Sequence, residues 1–142
     1  MTILEKMGAV HVLPKGKRQG PPLLLLHGVG NGSWVWERDQ QRMSESGFES
    51  WALDMPGHGA DAGANPSMQD LCDAVSEAVD EMDSPPCVVG HSMGGLVAQM
   101  VAEEKELHSL VLICSVPPGN IRVLPERQLL APALMRLVPT LL

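Results

Sequence analysis

A serine flanked by glycines is the residue of this sequence with the clearest potential for chemistry. Gly90-His91-Ser92-Met93-Gly94 follows a short apolar run and precedes a helical pattern, so G-x-S-x-G falls at a strand-to-helix junction. Such a sharp turn strains the serine and projects its hydroxyl from the carboxyl end of a sheet. The positive end of the helix dipole favours a developing oxyanion there. The pattern predicts a nucleophilic serine; the alternative is a small-residue turn with an incidental serine.

Apolar strands and amphipathic helices alternate along the chain and would position this serine. A continuous apolar run typical of a strand buried on both faces occurs at Leu23–Leu26, and residues 48–53, 87–89 and 110–114 are predicted to form further strands. Residues 9–13 alternate weakly and could form an edge strand or a hairpin arm. The alternation predicts an α/β fold, with a mostly parallel sheet and helices on both of its faces.

The helix that begins after Ser67 has the strongest signal in the chain. Apolar residues fall on one of its faces and acidic residues on the other, and Ser67 followed by Asp70 has the spacing of a capping box. Another helix could begin at Trp34, with Ser33 as its cap and Gly47 at its end. A third helix follows the nucleophilic serine.

Three segments together resemble one known family. LLLLHGVGNGSW, ALDMPGHGAD and VVGHSMGGLVA are similar to successive blocks of the α/β-hydrolases of the esterase, lipase and haloperoxidase-like type, in the family's order and spacing. With their elements they cover most of residues 10–117. The resemblance implies a partial α/β-hydrolase fold: the N-terminal part of the core domain in residues 1–119, the start of a truncated cap or lid in residues 120–142, and missing C-terminal strands.

The resemblance also implies roles for individual residues. Ser92 would attack the carbonyl of an ester-like small molecule, while the backbone N–H groups of Met93 and Val29 would form the oxyanion hole. The frame of the elbow and of the earlier loop would be formed by His27, Gly28, Gly90, His91, Gly94 and Gly95. Asp54 and His58 lie within the second of the three segments, at the end of its strand and in the turn that follows, and they are expected to be structural.

The sequence departs from the family where the rest of the triad should lie. Members order their triad as serine, acid and histidine. The only histidine after Ser92 is His108, expected at the amino end of the sheet, and Ser115 and Val116 stand where some members have the acid. Glu126 has no histidine to orient. Because a serine hydroxyl without a base is a weak nucleophile, we expect little turnover by this chain alone.

Composition sets bounds on the class of protein. The 142 residues are 44% hydrophobic and 19% charged, which is typical of one globular domain. The net charge of −7 and the scattered basic residues argue against nucleic-acid binding. The sequence shows no signal peptide, apolar membrane span, cofactor motif or metal-ligand spacing, so we expect a cytoplasmic protein without cofactor or metal. Cys72, Cys87 and Cys114 are expected to be reduced core residues.

Two alternatives to a hydrolase fragment remain open. A non-enzymatic protein could keep the same frame to bind a ligand or a partner chain. Missing strands would leave residues 110–114 as an unpaired sheet edge, open to a complementary chain or to self-association. A dinucleotide-binding domain is the other alternative: Gly28-x-Gly30 follows a strand and Asp54 ends the next one, although Ser33 replaces the last glycine of that fingerprint.

Overall fold

A single five-stranded sheet organises the part of the chain that the structure, a computed structural model, describes: residues 2–59 and 62–119. Its strands lie in the order β1, β3, β2, β4, β5. They span β1 (Val10–Val12), β2 (Leu23–Leu26), β3 (Ser50–Leu53), β4 (Cys87–His91) and β5 (Ser109–Ile113). β1 pairs antiparallel with β3, and the other neighbours are parallel. The predicted α/β class and mostly parallel sheet are confirmed.

Helices cover both faces of this sheet, as the alternation of elements predicts. On one face, α1 (Ile3–Lys6), α3 (Met68–Asp80) and α4 (Met93–Ala102) bury the larger apolar cluster. On the other face, a 3₁₀ helix (Ser33–Trp36) and α2 (Glu37–Glu45) cover a smaller cluster. Side chains of β2 point alternately into the two clusters, which explains why that strand is an uninterrupted run of leucines.

The start of α3 has the capping box predicted from its sequence. The Asp70 N–H donates to the Ser67 hydroxyl at 3.2 Å, and the Ser67 N–H donates to the Asp70 carboxylate at 2.7 Å. The Ser67 hydroxyl also donates to the Asp70 carboxylate at 2.7 Å, and this hydrogen bond, followed by the one from the Ser67 N–H, lowers the pKa of Asp70. The apolar face of the helix is buried through Leu71, Cys72, Val75, Ala78 and Val79, so the helical pattern is confirmed.

The helix predicted to begin at Trp34 with a Ser33 cap is different in the structure. Gly32 precedes a 3₁₀ helix, and the α-helix begins only at Glu37. Ser33 is buried inside the 3₁₀ helix, and its backbone N–H donates to Asp54 Oδ1 at 2.5 Å. The carboxylate of Asp54 therefore accepts the first N–H of this helix, whose N-cap residue, Gly32, has no side chain that could do so.

Two further features differ from the sequence-based expectations. The short helix α1 was not predicted, although Thr2 and Glu5 form a second capping box. Cys72 and Cys87 are buried free thiols as expected, but Cys114 is exposed, after a strand that forms the edge of the described sheet. In the described ranges, no helix is long and apolar enough to cross a bilayer. The predicted start of a cap segment in residues 120–142 lies outside those ranges.

β5 ends the described sheet with an apolar edge. Among the described strands only β4 pairs with it, and Val111, Leu112 and Ile113 are 43%, 43% and 40% exposed. Its sequence, SLVLI, has no charged residue that would oppose pairing with another strand. Edge strands of this kind, with unpaired backbone groups and apolar side chains, promote association.

We therefore expect the purified chain to self-associate through β5 as its concentration rises. Val111→Lys should weaken this association roughly tenfold or more, since a symmetric pair of edges would bring two like charges together at a cost above about 1.4 kcal/mol. Sedimentation velocity over a concentration series measures the effect. Val10→Lys is the matched control, because Val10 is 44% exposed on β1, the opposite edge strand. An equal loss of association in both variants would contradict the assignment to β5.

Candidate active site

Ser92 is the single residue between β4 and α4, and its backbone is strained. Its φ and ψ angles are 53° and −115°, and residues other than glycine rarely adopt a backbone conformation with positive φ. The Ser92 N–H donates to the carbonyl of Ile113 at 3.0 Å, which ties the bend to β5. The side chain is partly exposed. This is the sharp strand-to-helix turn that the sequence pattern describes.

Close packing around the bend requires glycine at two positions. A Cβ added to Gly90 would lie 2.5 Å from the carbonyl oxygen of Gly94. A Cβ added to Gly94 would lie 2.5 Å from the carbonyl oxygen of His27. Because real Cβ atoms do not approach backbone so closely, a larger residue at either position would separate α4 from β4 or from the end of β2.

The loop that follows β2 passes directly beside the serine. A Cβ added to Gly28 would lie 3.2 Å from the Cβ of Ser92 and 3.1 Å from Nδ1 of His91. The structure therefore brings together the loop after β2 and the turn at Ser92, which the sequence predicts to lie at one site. His91 lies at the end of β4, with its ring against this loop.

Hydrogen bonds fix the orientation of the peptide group between Gly28 and Val29. Its carbonyl oxygen accepts from His27 Nδ1 at 2.8 Å and from the Asn31 N–H at 3.3 Å. Because a trans peptide is planar, the Val29 N–H points away from these two donors. Met93 is the first residue of α4, so its N–H is one of those without a partner inside the helix. The Val29 side chain is 66% exposed, so the loop contributes backbone here.

His27 is a buried, neutral bridge between two loops. Its Nε2 accepts from the Met55 N–H at 3.1 Å, so the ring proton resides on Nδ1 and is donated to the Gly28 carbonyl. Burial lowers the pKa of His27, and His58, with its ring centroid 5.2 Å away, lowers it further. The hydrogen bond to Gly28 and the charge of Asp54 oppose this shift without reversing it.

Asp54 and His58 brace the loops near the serine. Asp54 accepts the Ser33 N–H, and a Cβ on Gly32 would lie 2.9 Å from its Oδ1. The ring of His58 pairs with the carbonyl of Pro56 at 2.9 Å through Nδ1. The carboxylate that the dinucleotide-binding alternative needs for a ribose contact is thus engaged with the start of the 3₁₀ helix.

Comparison with known proteins decides the family. The profile described as "Alpha/beta hydrolase family" matches residues 23–142. The chain belongs to the alpha/beta hydrolase family. Membership agrees with the position of the strained serine in this fold, and it leaves the dinucleotide-binding alternative without support.

Individual members of the alpha/beta hydrolase family show how much of a whole protein this chain represents. A pimeloyl-[acyl-carrier protein] methyl ester esterase of Nitrosospira multiformis is 32% identical in an alignment of 122 residues that covers 82% of this chain and 46% of the relative. Protein phosphatase methylesterase 1 of Bos taurus is 31% identical over 72% of this chain and 29% of its own length. A probable hydrolytic enzyme of Pseudomonas aeruginosa superposes with a TM-score of 0.66 at 28% identity, covering 76% of this chain and 36% of that one. The chain thus spans less than half the length of these relatives.

His108 lies at the opposite end of the sheet from Ser92. Its N–H donates to the carbonyl of Pro86 at 2.9 Å, just before β4, and the next residue, Ser109, pairs with Cys87 at the amino ends of β5 and β4. Ser92 follows the carboxyl end of β4. This arrangement agrees with the position expected for His108 from the sequence, and it keeps that imidazole away from the serine hydroxyl.

The contact between the serine and the loop after β5 is not predicted by the sequence patterns. Val116 donates its N–H to the carbonyl of Ser92 at 3.0 Å, and the side chain of Gln99 bonds to the same loop. From the sequence, Ser115 and Val116 are notable only because they stand where some family members have the acid of the triad. A contact between residues so far apart along the chain depends on β5 lying beside β4, and no local pattern indicates it.

The lowered pKa of His27 predicts a pH-dependent stability. In the unfolded chain this imidazole takes up its proton near pH 6.5, whereas in the folded chain it does so only at lower pH. The contribution of neutral His27 to the free energy of unfolding is therefore complete above pH 6.5 and is lost as the pH falls towards the folded-state pKa. Thermal unfolding between about pH 7.5 and 5.5 measures this loss.

His27→Gln should flatten that pH dependence. It should also destabilise the chain by about 1–3 kcal/mol for each buried polar group left unpaired. His108→Gln is the matched control, because this imidazole is exposed in the folded chain. An unchanged slope in His27→Gln, or a slope lost in the control, would contradict the role given to His27.

Proposed function

We propose that this chain supplies the nucleophile and the oxyanion-binding part of a serine ester hydrolase, with Ser92 as the nucleophile. The observation that carries the proposal is the strained serine between β4 and α4, 3.2 Å from the position that a Cβ on Gly28 would occupy. A strained bend persists only where the surrounding structure holds it, and such strain clusters at reactive sites. Ester hydrolysis also agrees with the names of two relatives, both of which are esterases.

The proposed reaction is acyl transfer to water. The Ser92 Oγ bonds to the ester carbonyl carbon while the carbonyl electron pair moves onto oxygen, where the N–H groups of Met93 and Val29 donate to the negative charge. When the carbonyl re-forms, the bond to the alcohol oxygen breaks, and the alcohol leaves with the proton that the serine gave up. Water then attacks the acyl-serine in the same way, releasing the acid and restoring the hydroxyl.

The proton transfer in this reaction requires a base, which we place outside these 142 residues. His27 is buried, and both of its ring nitrogens are engaged with backbone groups. His108 is at the amino end of the sheet. In the absence of a triad base, the oxyanion hole and binding alone leave a rate roughly 10³ to 10⁴-fold above that in water. The isolated chain should therefore hydrolyse esters slowly.

The names of two relatives suggest the substrate class. The Nitrosospira multiformis relative is a methyl ester esterase and the Bos taurus relative is a methylesterase, although their names give very different acyl groups. We propose a carboxylic ester of a small alcohol, such as a methyl ester, for the whole protein. A backbone oxyanion hole suits this class, because it recognises the carbonyl oxygen that all such esters share.

One observation favours a second candidate, a non-enzymatic protein that binds a partner chain. The exposed apolar side chains of β5 offer a surface for such a partner. This candidate needs no reactive serine, so it predicts that replacing Ser92 leaves partner binding intact and that the hydroxyl has no special reactivity.

Reaction with a fluorophosphonate tests the nucleophile. The serine oxygen displaces fluoride from phosphorus, and the hydroxyl proton passes to the buffer, so the protein gains the phosphonyl group. We expect slow labelling at Ser92, located by peptide mass spectrometry, and little turnover of p-nitrophenyl acetate. Ser92→Ala should abolish labelling, whereas Ser109→Ala, at an exposed serine of β5, should not.

Two results would contradict this proposal. Labelling that persists in Ser92→Ala would remove the serine from its role as nucleophile. Rapid, sustained ester hydrolysis that depends on Ser92 would show that this chain already holds a base, against the placement of that base outside it.

A further inference from the structure

The backbone of Ser92 is held from the side of β5 as well as from its own strand and helix. Its N–H donates to the Ile113 carbonyl at 3.0 Å, and its carbonyl accepts from the Val116 N–H at 3.0 Å. The same carbonyl accepts the Gly95 N–H at 3.1 Å, as expected at the start of α4. The N–H of the strained residue thus pairs with the last residue of β5, and its carbonyl pairs with the loop that follows β5.

Gln99, in the second turn of α4, holds that loop. Its Nε2 donates to Ser115 Oγ at 3.0 Å, to the Val116 carbonyl at 3.3 Å and to the Gly95 carbonyl at 3.1 Å. Two of these partners are carbonyl oxygens, which accept only, so the NH₂ group of the amide must face them. The Ser115 hydroxyl completes the cluster by donating to the Val116 carbonyl at 2.9 Å.

Two backbone features show that this loop is tightly seated. A Cβ added to Gly95 would lie 2.6 Å from the Cβ of Ser115, so the loop packs directly on the first turn of α4. Cys114, which begins the loop, has a φ of 45°, the other positive φ outside glycine in the described residues. Two strained residues, Ser92 and Cys114, thus flank one hydrogen-bond cluster.

We propose that Gln99 is a positioning residue for the serine of the proposed esterase. By fixing Ser115 and Val116, its amide keeps the Val116 N–H on the Ser92 carbonyl and so holds the left-handed bend that presents the hydroxyl. The expected effect of Gln99 on the reactivity of Ser92 rests on the proposed function, in which Ser92 is the nucleophile. The hydrogen-bond cluster itself is independent of that function.

A simpler role for Gln99 would be local. A side chain that donates to the carbonyl four residues earlier could stabilise α4 alone. In that case the loss of its amide would lower the melting temperature without selectively freeing Val116 or changing the reactivity of Ser92.

The test compares Gln99→Met with the parent chain. Methionine keeps the length of the side chain and removes the donors. Amide hydrogen exchange should become on the order of threefold to tenfold faster at Val116, the effect expected for a lost hydrogen bond, with no change along α3. Fluorophosphonate labelling of Ser92 should slow by a similar factor at a temperature where both proteins are folded.

Two further variants sharpen the test. Gln69→Met is the matched control, because Gln69 makes a comparable hydrogen bond to Asp73 at 2.7 Å on the exposed side of α3. It should alter neither exchange at Val116 nor labelling. Ser115→Ala removes one acceptor of the cluster and should reproduce a smaller part of both effects, which keeps the test decisive if Gln99→Met folds poorly.

The two proposals fail in different ways. Unchanged exchange at Val116 in Gln99→Met would overturn the positioning role, whatever the labelling shows. Faster exchange with unchanged labelling of Ser92 would overturn it too, since the cluster would then be structural only. A parent chain that is never labelled at Ser92 would overturn the proposed function, and with it the consequence for reactivity, while the exchange data would still decide whether Gln99 holds the loop.

Discussion

The strained turn at Ser92 depends on the parallel pairing of β4 with β5. That pairing brings the Ile113 carbonyl and the Val116 N–H to the two polar groups of the Ser92 backbone. A conformation of this kind costs about 1–3 kcal/mol and persists only when its surroundings determine it. If β5 were displaced, the serine would relax towards an ordinary strand-to-helix connection.

Parallel topology also determines which residues meet at the site. The loops after β2, β3 and β4 all leave the carboxyl edge of the sheet, and there His27 links two of them by accepting from Met55 and donating to Gly28. His108 precedes β5 and is therefore held at the amino edge. The same geometry thus brings Ser92, the proposed nucleophile, close to the loop after β2 and separates it from His108.

The sequence alone predicts elements that depend on residues close together in the chain. The leucines of β2, the amphipathic α3 with its Ser67 cap and the glycines around Ser92 each have a signal within a few residues. The capping box of α1 is a local signal that the sequence patterns did not reveal, whereas two other missed features have a tertiary cause. Ser33 is not a helix cap because Asp54, 21 residues later, reaches its N–H. The hydrogen bonds of Gln99 to the loop after β5 cannot be read from either segment by itself.

The φ angle of Ser92 in solution, obtained from backbone couplings and chemical shifts by nuclear magnetic resonance, tests the central claim most directly. We predict a positive φ, near the 53° of the structure, in a residue whose amide is hydrogen-bonded to the carbonyl of Ile113. A negative φ that continues the extended backbone of β4 would contradict it, because the serine would then have neither the strain nor the exposure on which the proposed chemistry depends.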